Sequence, residues 1–356
     1  MPFNIFDTYY MAGMVEEIAP MQTFFRDRYF PTNPSTDIFN TNKVLVEYRD
    51  ADRQMAPFVV RRAGDIPVAR RGYEIHEMEP PYTAPSRLLT LDDLQKRGFG
   101  EALYANSTPA ERARALQLQD LTDLDRRITR REEWMAVQTM INNGFSGVAY
   151  IDNDEVGEAF DLFFYDTSDS NPALYTVATK WDTTGGDFMA DVGAMAAALL
   201  DRGLPAADLV IGTDVANVIL NDEKIQKLLD NRRIELGRVA PATRYPGVAW
   251  LGNLNFDGVD LDIFVVRETY MNGTTPTRLF PTTSAMVTAP GCGHLMYGRI
   301  DQLEEDEQYH SFAMRRVPKY VADRDKDTRK LRLASRPLTA PLHKAPWIYA
   351  ANVVGS

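Results

Sequence analysis

RRITRREEWMAVQTMINNG, residues Arg126–Gly144, decides how this chain is built. Ile128 and Met135 continue a stripe begun by Leu121 and Leu124, at spacings of three, four and seven, the apolar face of one long helix. Its start is legible upstream. Thr108 is a good N-cap, Pro109 suits the first helical position, and Glu111 completes a capping box. No proline or glycine then interrupts the chain until Gly144, and Asn142 and Asn143 before it make a standard stop. Such a helix is roughly 50 Å long at about 1.5 Å per residue. Its other faces are charged, so the expectation is a spine lying across a sheet, not a buried core helix.

The charges beside the stripe are of both signs. Arg126, Arg127, Arg130 and Arg131 are interleaved with Asp120, Asp123, Asp125, Glu132 and Glu133. This pattern reads either as a solvated helix face or as a set of complementary contacts with other chains. A nucleic-acid surface is a poor fit. The formal net charge is −11, whereas proteins that grip phosphates do so with clustered Lys and Arg.

Upstream of the helix, APFVVRRAGDIPVARRGYEIHEMEPP runs from Ala56 to Pro81, and NKVLVEYRD runs from Asn42 to Asp50. Val59, Val60, Ile66, Val68, Tyr73 and Ile75 read as strand, so the two stretches form a long hairpin. It is a charged ribbon with too few apolar residues to sit in a core. Arg61, Arg62, Arg70 and Arg71 cannot all find acids within it, even with Glu47, Asp50, Asp52, Asp65 and Glu74 nearby. The expected partners are carboxylates of an adjacent chain, with the acids of the spine helix as candidates. Before the ribbon, residues 1–36 carry aromatics without a sustained period, including Phe24, Phe25, Tyr29 and Phe30. They read as an extended arm with one short helix near Phe24. Arm and ribbon have no core of their own, so both are expected to order only in an assembly.

Downstream, two strands flank a turn at Asp152–Asp154. After WDTTGGD (Trp181–Asp187) helix and strand alternate. FMADVGAMAAALLDRG and DVANVILNDEKIQKLLDNRR read as helices, and DLVIGT, VAWLGN, VDLDIFVV and SAMVTAP as strands. This block, about Gly185 to Gly298, reads as a compact α/β domain inserted into the rest. The tail returns as mixed strand and loop ending APWIYAANVV (Ala345–Val354).

Catalytic chemistry is hard to find. His76, His294, His310 and His343 each stand without metal-ligand spacing. GCGHLMYG (Gly291–Gly298) reads as a tight turn between strands, and TTGGD lacks the Lys-Ser/Thr of a phosphate loop. No G-x-S-x-G elbow is present. Cys292, two residues from His294, is the best nucleophile–base candidate, but it lacks an orienting third group. No catalytic, cofactor or metal site is therefore expected. The 44% apolar and 25% charged residues of this 356-residue chain are ordinary for a soluble globular protein. One cysteine cannot form an internal disulfide, which fits a reducing cytoplasm. No apolar run approaches the roughly 20 residues that span a bilayer, and MPFNIFDTYY shows no signal peptide.

The order of these parts resembles a tailed-phage major capsid protein, and more closely the phage lambda major capsid protein family. The carrying stretches are KVLVEYRD, the Ala56–Pro81 ribbon, SRLLTLDDLQKRGFGE, the opening helix sequence, TAPGCGHLMYGRI and APWIYAANVV. The resemblance implies an α+β, HK97-type capsid fold. Residues 1–36 would be the N-terminal arm, 37–86 the extended loop, and 87–184 the peripheral domain with the spine helix. Residues 185–298 would be the axial domain, and 299–356 the return to the peripheral domain. It also implies a shell subunit that forms hexamers and pentamers around double-stranded DNA, without sequence-specific binding and without membrane. Scaffolding and portal proteins, expansion of a procapsid, and sometimes a cementing protein go with that role. So does assembly in the host bacterial cytoplasm into a virion capsid. Contact candidates between subunits are Arg61, Arg62, Arg70, Arg71, Glu74, Arg126, Arg127, Arg130 and Arg131. Rival readings are a tail-tube subunit and an α/β enzyme with a non-local site; the long spine helix speaks against a tube, whose subunits are mainly β.

Overall fold

Leu121, Leu124, Ile128 and Met135 are all at most 2% exposed, on a helix that runs unbroken from Pro109 to Asn142. The computed structural model describes residues 8–19, 21–48, 74–90, 109–150, 156–164, 173–222, 237–304, 306–323 and 328–355. The capping box at Thr108 lies outside them. At the other end the helix stops where Asn143 takes a left-handed φ of 54°. Gly144 follows because a Cβ there would stand 2.1 Å from the Leu162 carbonyl oxygen.

The stripe meets different partners along its length. Leu121, Leu124 and Ile128 pack on Leu331 and Leu333 of a three-stranded sheet (Ser86–Leu89, Thr328–Ala334, Val317–Asp323) and on Met11 and Val15 of a helix, Thr8–Glu17. That half is a spine across a sheet. The last turns differ from expectation: Met135, Ala136, Val137, Thr139 and Met140 are all at most 2% exposed. There the helix enters the main core, so its charged faces cannot continue. Leu124→Ala should cost about 2–5 kcal/mol, while Arg130→Ala on the exposed side should leave folding intact. Denaturant titration of dissociated subunits checks this, and equal losses would show that the faces are misassigned.

The main sheet has seven strands in the order Leu174–Tyr175, Ile348–Ala350, Ala285–Thr288, Asp208–Ile211, Val259–Val266, Val248–Phe256, Gly237–Tyr245. Strand 259–266 runs parallel to 208–211 and strand 348–350 parallel to 174–175; the other neighbours are antiparallel. Two of these strands come from outside the Gly185–Gly298 block. Side chains alternate across the sheet with period two. Leu209, Ile211, Ile263, Val265, Ala285 and Val287 face the helices Phe188–Asp201 and Thr213–Asn221. Val210, Phe264 and Met286 face the other way, into a core shared with Met135, Met140 and Trp347.

Into that second core goes the arm. Phe24, Phe25, Tyr29 and Phe30 are at most 1% exposed, on and beside the helix Phe25–Tyr29. The expectation that the arm has no core is thus overturned for residues 24–30: one chain's own sheet and spine enclose them. The ribbon's base is as expected. Val44–Tyr48 pairs antiparallel with Glu74–Met78, Val44 opposite Met78 and Tyr48 opposite Glu74. Val44 and Val46 are buried while Leu45 and Glu47 face out. The rest of the ribbon lies outside the described residues. No helix among those described is long and apolar enough to cross a membrane.

Candidate functional site

Cys292 and His294, two residues apart in sequence, are held by different partners. The Cys292 thiol is buried against Thr288 and the Tyr29 carbonyl, and burial pushes it up to about 12, too high for a thiolate nucleophile. His294 instead faces Asp37 at 3.4 Å. Asp187 caps the helix that TTGGD opens, accepting from the Ala190 amide at 3.2 Å, so an acid already holds the place an anion would take. Among the described residues no group of three metal-ligating side chains converges.

The charged stretch that opened the sequence holds the arrangement of consequence. Glu132 follows Ile128 by four residues, on the buried side of the helix, and is 0% exposed. A carboxylate there must be paired. Arg316 clasps it with two nitrogens, Nη1 to Oε1 at 2.7 Å and Nη2 to Oε2 at 3.1 Å. The same guanidinium donates Nε to Asp125 at 2.8 Å and Nη1 to Ser335 at 3.1 Å. Tyr297 donates its hydroxyl to Glu132 at 3.0 Å, and Arg26 adds Nη1 at 3.2 Å. Burial alone would raise the Glu132 pKa, but Arg316 and Arg26 outweigh it and hold the carboxyl below its usual range.

Glu133 does a different job. Its oxygens accept the backbone N–H groups of Phe24, Phe25 and Arg26 at 3.1, 2.8 and 2.7 Å. These are amides that the start of the arm helix leaves without an intrahelical partner. On the next turn Arg28 donates two hydrogen bonds to Asp208, at 2.5 and 2.8 Å, and Tyr29 adds its hydroxyl at 2.9 Å. Asp208 opens the central strand of the main sheet. The short arm helix is therefore a joint, gripping the spine on one side and the sheet on the other.

The adjacent glutamates titrate in opposite directions. Burial pushes Glu133 up to about 7 against its three amide donors, while Glu132 is depressed. Glu132 thus contributes stability that is present above its ordinary 4.5 and lost as pH falls. Glu133 contributes stability that is present below 4.5 and lost as pH rises through about 7. Wild type should therefore lose stability relative to Glu133→Gln between pH 4.5 and about 7. Urea titrations across that window check this; a flat difference would show that the amides keep the carboxylate ionised throughout.

The other sequence candidates divide. Arg61, Arg62, Arg70 and Arg71 lie outside the described residues, and Glu74 opens the returning ribbon strand. Arg126, Arg127, Arg130 and Arg131 are exposed, and Arg131 lies over the Trp134 ring at 5.1 Å. The spine acids already have partners within their own chain. Arg87 takes Asp120 and Asp123, Arg316 takes Asp125 and Glu132, and the arm amides take Glu133. Sequence reasoning missed Arg26, Arg28, Asp208 and Arg316. A signal existed for the first of their partners, because position 132 falls on the apolar stripe.

The chain matches the family described as phage major capsid protein E over residues 7–351. No curated protein matches it in sequence. Among solved structures it is similar to a candidate capsid protein of a prophage in E. coli CFT073, at 14% identity and a TM-score of 0.65, with 96% of this chain and 98% of that chain covered. A phage-related protein from Bordetella bronchiseptica RB50 is similar at 10% identity and a TM-score of 0.51, with 97% of each chain covered. At such identities these likenesses are of fold.

Proposed function

The chain belongs to the phage major capsid protein E family and is a capsid shell protein, and from that premise we propose how it builds its shell. Subunits associate as hexamers and pentamers of an icosahedral particle that encloses double-stranded DNA and matures from a procapsid by expansion. The observation that carries this reading is the family match from residue 7 to residue 351. Residues 185–298 supply most of the axial domain, and the spine with its sheets the peripheral domain. A scaffolding protein and a portal are its expected partners, a cementing protein is one that some shells of this kind add, and the host bacterial cytoplasm is the place of assembly. The acidic balance suits a container that must load and release DNA, since a strongly basic lumen would hold it.

In this reading the ribbon is a strap laid on the next subunit. Its base is fixed by Val44 and Val46 in the core, while its arginines require acids from elsewhere. Exposed ion pairs are worth only about 0–1 kcal/mol each, but a shell repeats each one in every subunit. Arg70→Glu with Arg71→Glu should leave the circular dichroism and melting of dissociated subunits unchanged and prevent closed shells. Normal particles from the double variant would reject the strap at these positions.

A further inference from the structure

The arginine face of the spine is only sparsely matched by acids among the described residues of its own chain. At about 100° per residue, Arg126, Arg130, Arg127 and Arg131 fall within an arc of roughly 140°. Each is exposed. Among the described residues only Arg130 has an acid close enough to feel its charge, Glu268, whose burial-raised pKa it partly offsets; Arg126, Arg127 and Arg131 form no ion pair. Arg126 with Arg130, and Arg127 with Arg131, are like-charge pairs four residues apart, which repel in the isolated helix. The acids that alternate with them in sequence are consumed by Arg87, Arg316 and the arm amides. Such a face is relieved by a negative surface.

The complementary surface is carried by the same chain at another place. No lysine or arginine occurs between Arg131 and Lys180, a stretch that contains the hairpin of strands Gly144–Tyr150 and Val156–Phe163. Its base is pinned to the spine by Phe145 against Trp134 and Phe160. It exposes Asp161, opposite Ser146, and Glu158 nearer its far end, neither in an ion pair among the described residues. Val148 and Tyr150 are 44% and 69% exposed beside them. One side of this pair of strands is held on the spine, while its acidic, partly apolar outer side is open to solvent.

We propose that the Arg126–Arg131 face of one copy docks the paired strands Gly144–Tyr150 and Val156–Phe163 of the next copy, through guanidinium pairs with Glu158 and Asp161 and with Tyr150 laid on the arginines. Two different patches of one chain then meet in a heterologous, head-to-tail contact, which repeats around a ring. The inference rests on the shell reading and adds the pair of surfaces that meet.

The test uses the full-length chain under conditions in which it forms closed particles. One variant carries Arg126→Glu and Arg127→Glu, a second Glu158→Arg and Asp161→Arg, and a third all four changes. The first two should each lower the particle yield about tenfold or more, with subunit melting shifted by no more than about 2 °C, as for surface substitutions. The third should return most of the yield. Normal yields from the first two, or no recovery in the third, would overturn the contact. Intact particles that lose only DNA would assign the arginines to nucleic acid and overturn it equally. If the unaltered chain makes no particles under any condition, the shell reading itself fails.

Discussion

Arg316→Ala is expected to lower the unfolding free energy of the subunit by about 3–5 kcal/mol, the cost of leaving a buried charge without its counter-charge. The substitution removes two hydrogen bonds from Glu132 and one each from Asp125 and Ser335. Arg26 and Tyr297 remain beside Glu132, but Arg26 is shared with Asp27. Glu132→Leu combined with Arg316→Met should cost less than Arg316→Ala alone, because it removes both charges and keeps volume. Urea titration of dissociated subunits reads both effects. An unchanged midpoint for Arg316→Ala would mean that water reaches Glu132 and the cluster contributes nothing.

Phe24→Ala is the second large effect, about 3–5 kcal/mol for a buried aromatic ring. Phe24 lies 5.3 Å from Tyr245 and 5.0 Å from Phe264 of the main sheet, and 5.5 Å from Tyr29 of the arm helix, centroid to centroid. Losing the ring opens the joint between sheet and spine. Hydrogen exchange should then rise at the Phe25 and Arg26 amides held by Glu133, ahead of the sheet strands. Unchanged protection there would show that the arm helix is held by its hydrogen bonds alone.

What was legible in the sequence was what is local. The spine's stripe, its stop at Asn142–Gly144, the buried strand at Asp208 and the pairing at the ribbon's base all follow from periodicity or turn chemistry. What could not be read depends on residues far apart. Arg316 is 184 positions from Glu132, and Asp208 is 180 from Arg28. The arm's aromatics showed no period because they belong to one short helix wedged between two elements, not to a face repeated over several turns. Interleaved charge misled in the same way. The pattern around Arg130 is half surface and half buried anchor, and only position 132 on the stripe gave that away.

Electron microscopy of the purified, assembled chain, paired with sedimentation, tests the central claim most directly. The account predicts closed particles of uniform diameter, with the subunit as the sole repeating unit of the shell. Helical tubes, or a monomer that stays a monomer at every concentration, would contradict it.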